Sequence, residues 1–375
     1  MNSKRAIVVG AGIVGLATAR ALSLKGFSVQ VFDRNLQATG ASIRNFGMIW
    51  PIGQPHGKMY DRASRSRDVW KEVCAGANIW QEQAGSLHLA YAEDEMQVLE
   101  ELYEQFQDEG RDVKLLSAPE IIQQHEAVNP VNLRGGLFSS EELIIDPREA
   151  IAKLPVYLSE HLGVGFHWGK LVTAVEGTTV TAGNEEYAAD VVVVCSGADF
   201  ETLFPQLYAS LPLTKCKLQM MRLVAQPGNW RIGPALCGGL SLIHYNSFKM
   251  APSLPQLEER YHGQMAAYVD NGIHVMVSQN GRGELTIGDS HEYGMNPGPF
   301  DRQQINTLIL EYLKRFARFK DDTLLESWNG VYPKLTNGAT EIFVSPAPGV
   351  YILNGLGGAG MTLSFGLAEE MMDTL

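Results

Sequence analysis

The stretch A-I-V-V-G-A-G-I-V-G-L-A-T-A-R-A-L-S-L-K-G-F-S-V-Q-V-F-D, residues 6–33, decides how the chain begins to fold. Residues 6–9 form a continuous apolar run, the pattern of a strand buried on both faces of a parallel sheet. It enters Gly10-Ala11-Gly12-Ile13-Val14-Gly15 directly. Val14, Ala17, Ala21 and Leu24 then recur at helical spacing, and Gly26 after Lys25 is a stop signal. Residues 28–32 read as a second strand with Asp33 at its carboxyl end. Gly10 permits a tight turn, Gly12 lets the backbone approach a pyrophosphate, and Gly15 brings helix against strand. The helix N-terminus offers free N–H groups and a positive dipole end. Asp33, about 20 residues beyond the glycines, is placed to accept hydrogen bonds from a ribose. A tight turn with incidental glycines does not explain Asp33, so the unit reads as a dinucleotide site.

Two later segments decide which dinucleotide. Residues 189–198, A-D-V-V-V-V-C-S-G-A, are a buried strand ending in a turn at Ser196-Gly197. Residues 349–364, G-V-Y-I-L-N-G-L-G-G-A-G-M-T-L-S, are a strand, a second glycine-rich turn and the approach to a helix over residues 363–375. A loosely held nicotinamide cofactor usually needs one such segment, whereas a long, embedded FAD uses several. A helix N-terminus also stabilises the negative charge of a reduced flavin.

With these segments in hand, the chain resembles the D-amino-acid oxidase superfamily, which includes glycine oxidase and the sarcosine oxidases. The residues that carry the resemblance begin with V-V-G-A-G-I-V-G-L-A-T-A-R-A-L, Asp33 and G-A-S-I-R-N (40–45). They continue through G-S-L-H-L-A (85–90), I-I-D-P-R (144–148), G-R-G-E-L-T-I-G-D-S (281–290), W-N-G-V-Y-P (328–333) and G-L-G-G-A-G-M-T-L-S (355–364). The resemblance implies non-covalent FAD held by Gly10, Gly12, Ile13, Val14, Gly15, Asp33, Arg34, Gly197, Gly357, Gly358, Gly360, Met361 and Thr362. It also gives a role to A-S-I-R-N-F-G-M-I-W-P-I-G-Q-P (41–55), too irregular for a helix and too apolar for a solvated loop. Ser42, Arg44 and Asn45 are expected at the cofactor phosphates or flavin edge, with residues 46–55 walling the flavin. His56 is the one candidate for a covalent flavin link, and a loop histidine is more often simply solvated.

The fold expected is α/β: a Rossmann-like FAD-binding domain interleaved with a mixed-sheet α+β substrate domain. Residues 1–80, 145–204 and 326–375 are assigned to the first, and 81–144 and 205–325 to the second. Long helices are expected near residues 59–75 and 93–110, and strands at 218–224 and 273–278.

The implied chemistry is oxidation of a C–N bond in a small anionic amine, with hydride passing to flavin N5 and water hydrolysing the imine. Members that oxidise amino acids anchor the carboxylate with an arginine near W-N-G-V-Y-P; here Tyr332 stands there, with Lys334 close by. Gly357, Gly358 and Ala359 occupy a second place where glycine oxidase-like chains carry arginine. The segments at 40–55 and 85–91 resemble a subgroup associated with aminoalkylphosphonate breakdown. That resemblance implies 2-aminoethylphosphonate or its N-methyl derivative as substrate and phosphonoacetaldehyde as product. The alternative is a glycine, sarcosine or D-amino acid oxidase with a non-standard carboxylate anchor. Tyr245, His244 and Lys334 are the candidate substrate residues, with His291 and Tyr293 nearby; a histidine in such a turn serves a structural hydrogen bond as readily. The electron acceptor is oxygen or an unidentified carrier.

The bulk composition sets outer limits. The chain has 375 residues with 42 acidic against 30 basic side chains, a net charge of −12 that argues against a nucleic-acid partner. Cys74, Cys195, Cys216 and Cys237 show neither C-x-x-C spacing nor a disulfide framework, so no metal is expected and a reducing cytoplasm fits. No apolar run approaches the roughly 20 residues of a membrane span.

Overall fold

Residues 3–375 are described by a computed structural model. Strand β1 (Arg5–Val9) leads through the glycine turn into helix α1 (Ile13–Leu24), and strand β2 (Ser28–Asp33) follows. β1 is parallel to β2 on one side and to the strand Val191–Val194 on the other, and its Ala6, Ile7 and Val8 are buried. α1 ends where Lys25 caps it and Gly26 turns at φ +86°.

These strands belong to a six-stranded sheet completed by Gly165–Trp168 beyond β2 and by Val350–Asn354 and Ile342–Ala347 beyond Val191–Val194. The sheet therefore gathers its strands from three separated parts of the chain. A nine-stranded mixed sheet holds the other half, mostly antiparallel, with one parallel pair between Ala235–Cys237 and Ser86–Ala90. Its longest pairing joins Leu213–Leu223 to Leu324–Leu335. The passage back to the six-stranded sheet thus starts with Ile342, later than the residue 326 expected from the sequence. Two helices, Leu254–Gln264 and Gln303–Phe316, supply part of the helical share of this α+β half. The second buries Ile305, Ile309, Leu313 and Phe316, a helical spacing that anchors it to the sheet.

The long helix expected near 59–75 runs Lys58–Gly76, and that near 93–110 runs Glu93–Asp108. The C-terminal helix begins at Gly360 rather than 363. Its first turn is fixed from outside: Trp70 Nε1 donates to the Met361 carbonyl at 2.8 Å, and the Trp50 N–H donates to Thr362 Oγ1 at 3.0 Å. Tertiary docking here overrides glycine's poor helix propensity. No helix among the described residues is long and apolar enough to cross a membrane. The four cysteines are free and buried.

His88, on the strand Ser86–Ala90, is fully buried, and neither ring nitrogen has a hydrogen-bond partner. Its ring lies 5.1 Å from Phe248 and 5.9 Å from Trp50. Burial in this apolar setting pulls its pKa from 6.5 down to about 3. Between those values the unfolded chain holds a proton that the folded chain rejects, so stability is lost as pH falls below 6.5. Urea unfolding from pH 6.5 to 4.5 is expected to show this acid-side loss. In His88→Leu the slope should flatten by up to about 1.4 kcal/mol per pH unit; an unchanged slope would show that His88 accepts its proton without penalty.

Candidate active site

The glycine turn before α1, the turn after Val191–Val194 and the start of the C-terminal helix converge on one cavity of about 1170 Å³. Gly10 sits at φ +105°, and a Cβ there would come within 2.3 Å of the Cys195 carbonyl oxygen. Gly12, Ile13 and Val14 line the cavity. The Ile13 N–H donates to Ser42 Oγ at 2.9 Å. Gly12 and Val14 N–H meet no acceptor among the described residues, which leaves two donors at a positive helix end. Asp33 accepts from the Ala11 N–H at 2.8 Å and from the Asn35 N–H at 2.9 Å, so it braces the turn while still facing the cavity. Arg34, also at the cavity, pairs with Asp199.

Gly15 does not line the cavity; a Cβ there would fall 1.8 Å from the Gly10 carbonyl oxygen, so its part is to let α1 pack on the turn. Gly197, Gly357, Gly358, Gly360, Met361 and Thr362 all line the cavity. A Cβ on Gly357 would meet nothing within 4 Å, and one on Gly358 would find only Tyr332, at 3.5 Å or more. The two glycines leave a cradle that side chains would fill. Donors at two helix ends, an acidic residue beside the first and this cradle suit a long dinucleotide such as FAD.

Ser42, Arg44 and Asn45 lie along the same wall. The Arg44 guanidinium donates to the Asn329 carbonyl at 3.0 Å. The Asn45 amide donates to the Ala41 and Ser42 carbonyls, both at 3.0 Å, and accepts from the Gly47 N–H at 2.8 Å, so much of its hydrogen-bonding capacity holds the turn. Trp50, within the apolar 46–55 segment, lines the cavity and carries a buried indole N–H without a partner. His56 is outside the lining and lies 3.7 Å from Glu109.

The other end of the cavity is built by the nine-stranded sheet and the loop at 243–246. Tyr245 donates to Met276 Sδ at 3.1 Å. Lys334, close by in sequence to buried Tyr332, donates to Tyr293 Oη at 3.1 Å and has no carboxylate at ion-pair distance among the described residues. His244 is exposed, and its ring opens to the cavity. Its centroid is 3.8 Å from that of His274 and 4.9 Å from that of His291. Asp289 backs the group: its Oδ1 is 3.1 Å from His274 Nε2 and its Oδ2 is 3.7 Å from His291 Nε2.

Desolvation disfavours charge throughout this group. It lowers His244, whose neighbours His291 and Lys334 add to the effect; it lowers His274, and brings His291 to about 4. It raises Asp289. The sequence motifs do not single out His274, and they include Asp289 only within the stretch at 281–290. The available signal was a histidine interrupting the apolar run of residues 273–277, I-H-V-M-V.

The family described as FAD dependent oxidoreductase (DAO) matches residues 5–374. The chain belongs to this family. Among curated relatives, the glycerol 3-phosphate dehydrogenase of Caloramator mitchellensis is 26% identical over 330 residues, covering 84% of this chain and 61% of that protein. The chain thus spans less than two thirds of that relative's length. Among solved structures, glycine oxidase from Bacillus cereus ATCC 14579 aligns with a TM-score of 0.78 at 15% identity, covering 99% of this chain and 94% of that one. L-alpha-glycerophosphate oxidase from Mycoplasma pneumoniae, a structure with FAD bound, aligns at 0.75 with 19% identity and coverage of 99% and 94%. At these identities the likeness speaks for the fold.

Proposed function

We propose that this FAD-dependent oxidoreductase oxidises the C–N bond of a small amine bearing a phosphonate, 2-aminoethylphosphonate or its N-methyl derivative, to give phosphonoacetaldehyde and the free amine. The observation that carries the reading is Lys334: an ammonium at the cavity with no carboxylate partner, beside the Tyr293 hydroxyl, while Tyr332 stands where an arginine would grip a carboxylate. A point charge with rotatable donors suits a tetrahedral anion, whereas the bidentate fork for a planar carboxylate is missing here. Two relatives named for glycerophosphate substrates support a phosphorus-centred anion in this fold.

Bound FAD supplies the two-electron acceptor. Lys334 and Tyr293 hold the anion, which fixes the distance of the amine from the flavin end of the cavity. Tyr245, Trp50 and Met276 wall the substrate and limit water.

The test is anaerobic mixing of the yellow protein with N-methyl-2-aminoethylphosphonate, 2-aminoethylphosphonate, glycine, sarcosine and glycerol 3-phosphate. Bleaching of the flavin band by an aminophosphonate alone is expected. Bleaching by glycine or sarcosine alone would favour an amino acid oxidase with an unusual anchor. Bleaching by glycerol 3-phosphate alone would move the chemistry from C–N to C–O.

A further inference from the structure

From the grouping of His244, His274 and His291 around Asp289 we infer a binding site for one divalent transition-metal ion of the zinc class at the substrate end of the cavity. The inference does not depend on which amine is oxidised. One nitrogen of each imidazole lies within 4.8 Å of the others. Modest side-chain rotation brings such a set to the about 3.4 Å spacing that tetrahedral zinc–nitrogen bonds require. His244 is free to make that adjustment, because its ring opens to the cavity and it has no side-chain hydrogen bond among the described residues.

The orientation of the two buried rings points to a cation. His291 Nδ1 lies 2.8 Å from the Gly272 carbonyl, an acceptor, so this nitrogen carries the proton and Nε2 presents its lone pair. His274 Nε2 faces Asp289 Oδ1 at 3.1 Å, and its Nδ1 is buried with no partner. A carboxyl group beside one ring nitrogen, with the other nitrogen unpartnered, is a setting in which histidines bind metal. With its N–H turned toward Gly272, His291 offers an acceptor, and His274 carries a buried Nδ1 with no partner, whereas an anion would need donors. The side chains are well placed to hold this arrangement: His274 is 4% exposed, Asp289 5% and His291 8%. Three imidazoles suit zinc, copper or nickel better than magnesium or calcium, and the cavity side leaves the fourth position open.

The experiment uses the FAD-loaded protein, equilibrated with Zn²⁺ or Co²⁺ and then dialysed, with bound metal measured by mass spectrometry. One Zn²⁺ per chain is expected, and the Co²⁺ form should show tetrahedral d–d bands at longer wavelength than the flavin absorption. His274→Ala and Asp289→Asn should each weaken Zn²⁺ binding by at least about tenfold. His244→Gln, at a ring that opens to the cavity, guards against a folding artefact and should weaken binding comparably while FAD content stays unchanged. His262→Ala, on the surface helix Leu254–Gln264, should leave metal binding as it is. Substoichiometric metal, or stoichiometric metal unaffected by His244→Gln and His274→Ala, would overturn the site.

Discussion

Gly15→Ala is expected to purify as a colourless protein that retains little or no FAD. The methyl group would sit 1.8 Å from the Gly10 carbonyl oxygen and 3.0 Å from its carbon, so α1 must move away from the turn. That turn cannot follow freely. Gly10 N–H is bonded to the Phe32 carbonyl at 2.8 Å and Ala11 N–H to Asp33 at 2.8 Å, both on β2. Separating helix from turn displaces the N–H groups of Gly12 and Val14 that would meet a pyrophosphate, and each charge-assisted bond lost costs about 1.5–3 kcal/mol. Two such bonds amount to at least a hundredfold in FAD affinity, by about 1.4 kcal/mol per tenfold. The flavin-to-protein absorbance ratio after dialysis reads this directly. Gly26→Ala is the control: its φ is +86°, so alanine is strained, but nothing lies within 4 Å. That variant should lose about 1 kcal/mol of stability and stay yellow. A yellow Gly15→Ala would mean that the turn yields without harm to the cofactor.

The same local geometry explains why this part of the molecule was legible. The turn and helix joining β1 to β2 are shaped within about 30 residues of sequence, so the apolar periodicity and the glycine spacing carry that unit, while the pairing of β1 with Val191–Val194 comes from far along the chain. The second sheet was harder. Leu213–Leu223 is buried along most of its length because Leu324–Leu335 pairs with it from a distant part of the chain. Its polar start, Thr214-Lys215, gave no sign of being inside a strand, and so residues 218–224 alone were expected. The early start of the C-terminal helix has a similar origin: Trp50 and Trp70 secure its first turn, and neither is near it in sequence.

The site divides in the same way. Every cofactor residue expected from the sequence except Gly15 lines the cavity, because the glycine turns that signal a nucleotide are themselves local. The substrate end is assembled from the loop at 243–246 and three strand ends, and no spacing connects them. His244, His274 and His291 are far apart in sequence and show no metal motif, yet the fold stacks their rings at centroid distances of 3.8 to 5.2 Å. Only pairing could reveal that: the N–H groups of His274 and Asp289 each donate to the other's carbonyl, which sets both side chains beside the same cavity.

Lys334→Met is expected to cost between tenfold and a hundredfold in kcat/KM for the aminophosphonate, mostly through KM. Methionine keeps the packing of the aliphatic stem, and the amine lies over the Tyr293 ring at 4.8 Å, so the change removes charge more than volume. A phosphonate entering the cavity would form a charge-assisted bond with the ammonium, and losing such a bond costs about 1.5–3 kcal/mol. Part of that loss is recoverable. Lys334→Arg restores the charge but presents a planar fork, and should recover binding only partly while improving the relative rate with a carboxylate substrate such as glycine. FAD content should be unchanged in both variants: the bridge of Lys334 to Leu356, beside the second glycine turn, is made by backbone, and the side-chain amine is turned to Tyr293. If Lys334→Met left KM for the aminophosphonate untouched, the anion would have to be held elsewhere. Two other cations without a carboxylate partner line the cavity among the described residues, Arg44 and Lys249; Arg44 is bonded to the Asn329 carbonyl, so Lys249→Met would then be the variant that raises KM.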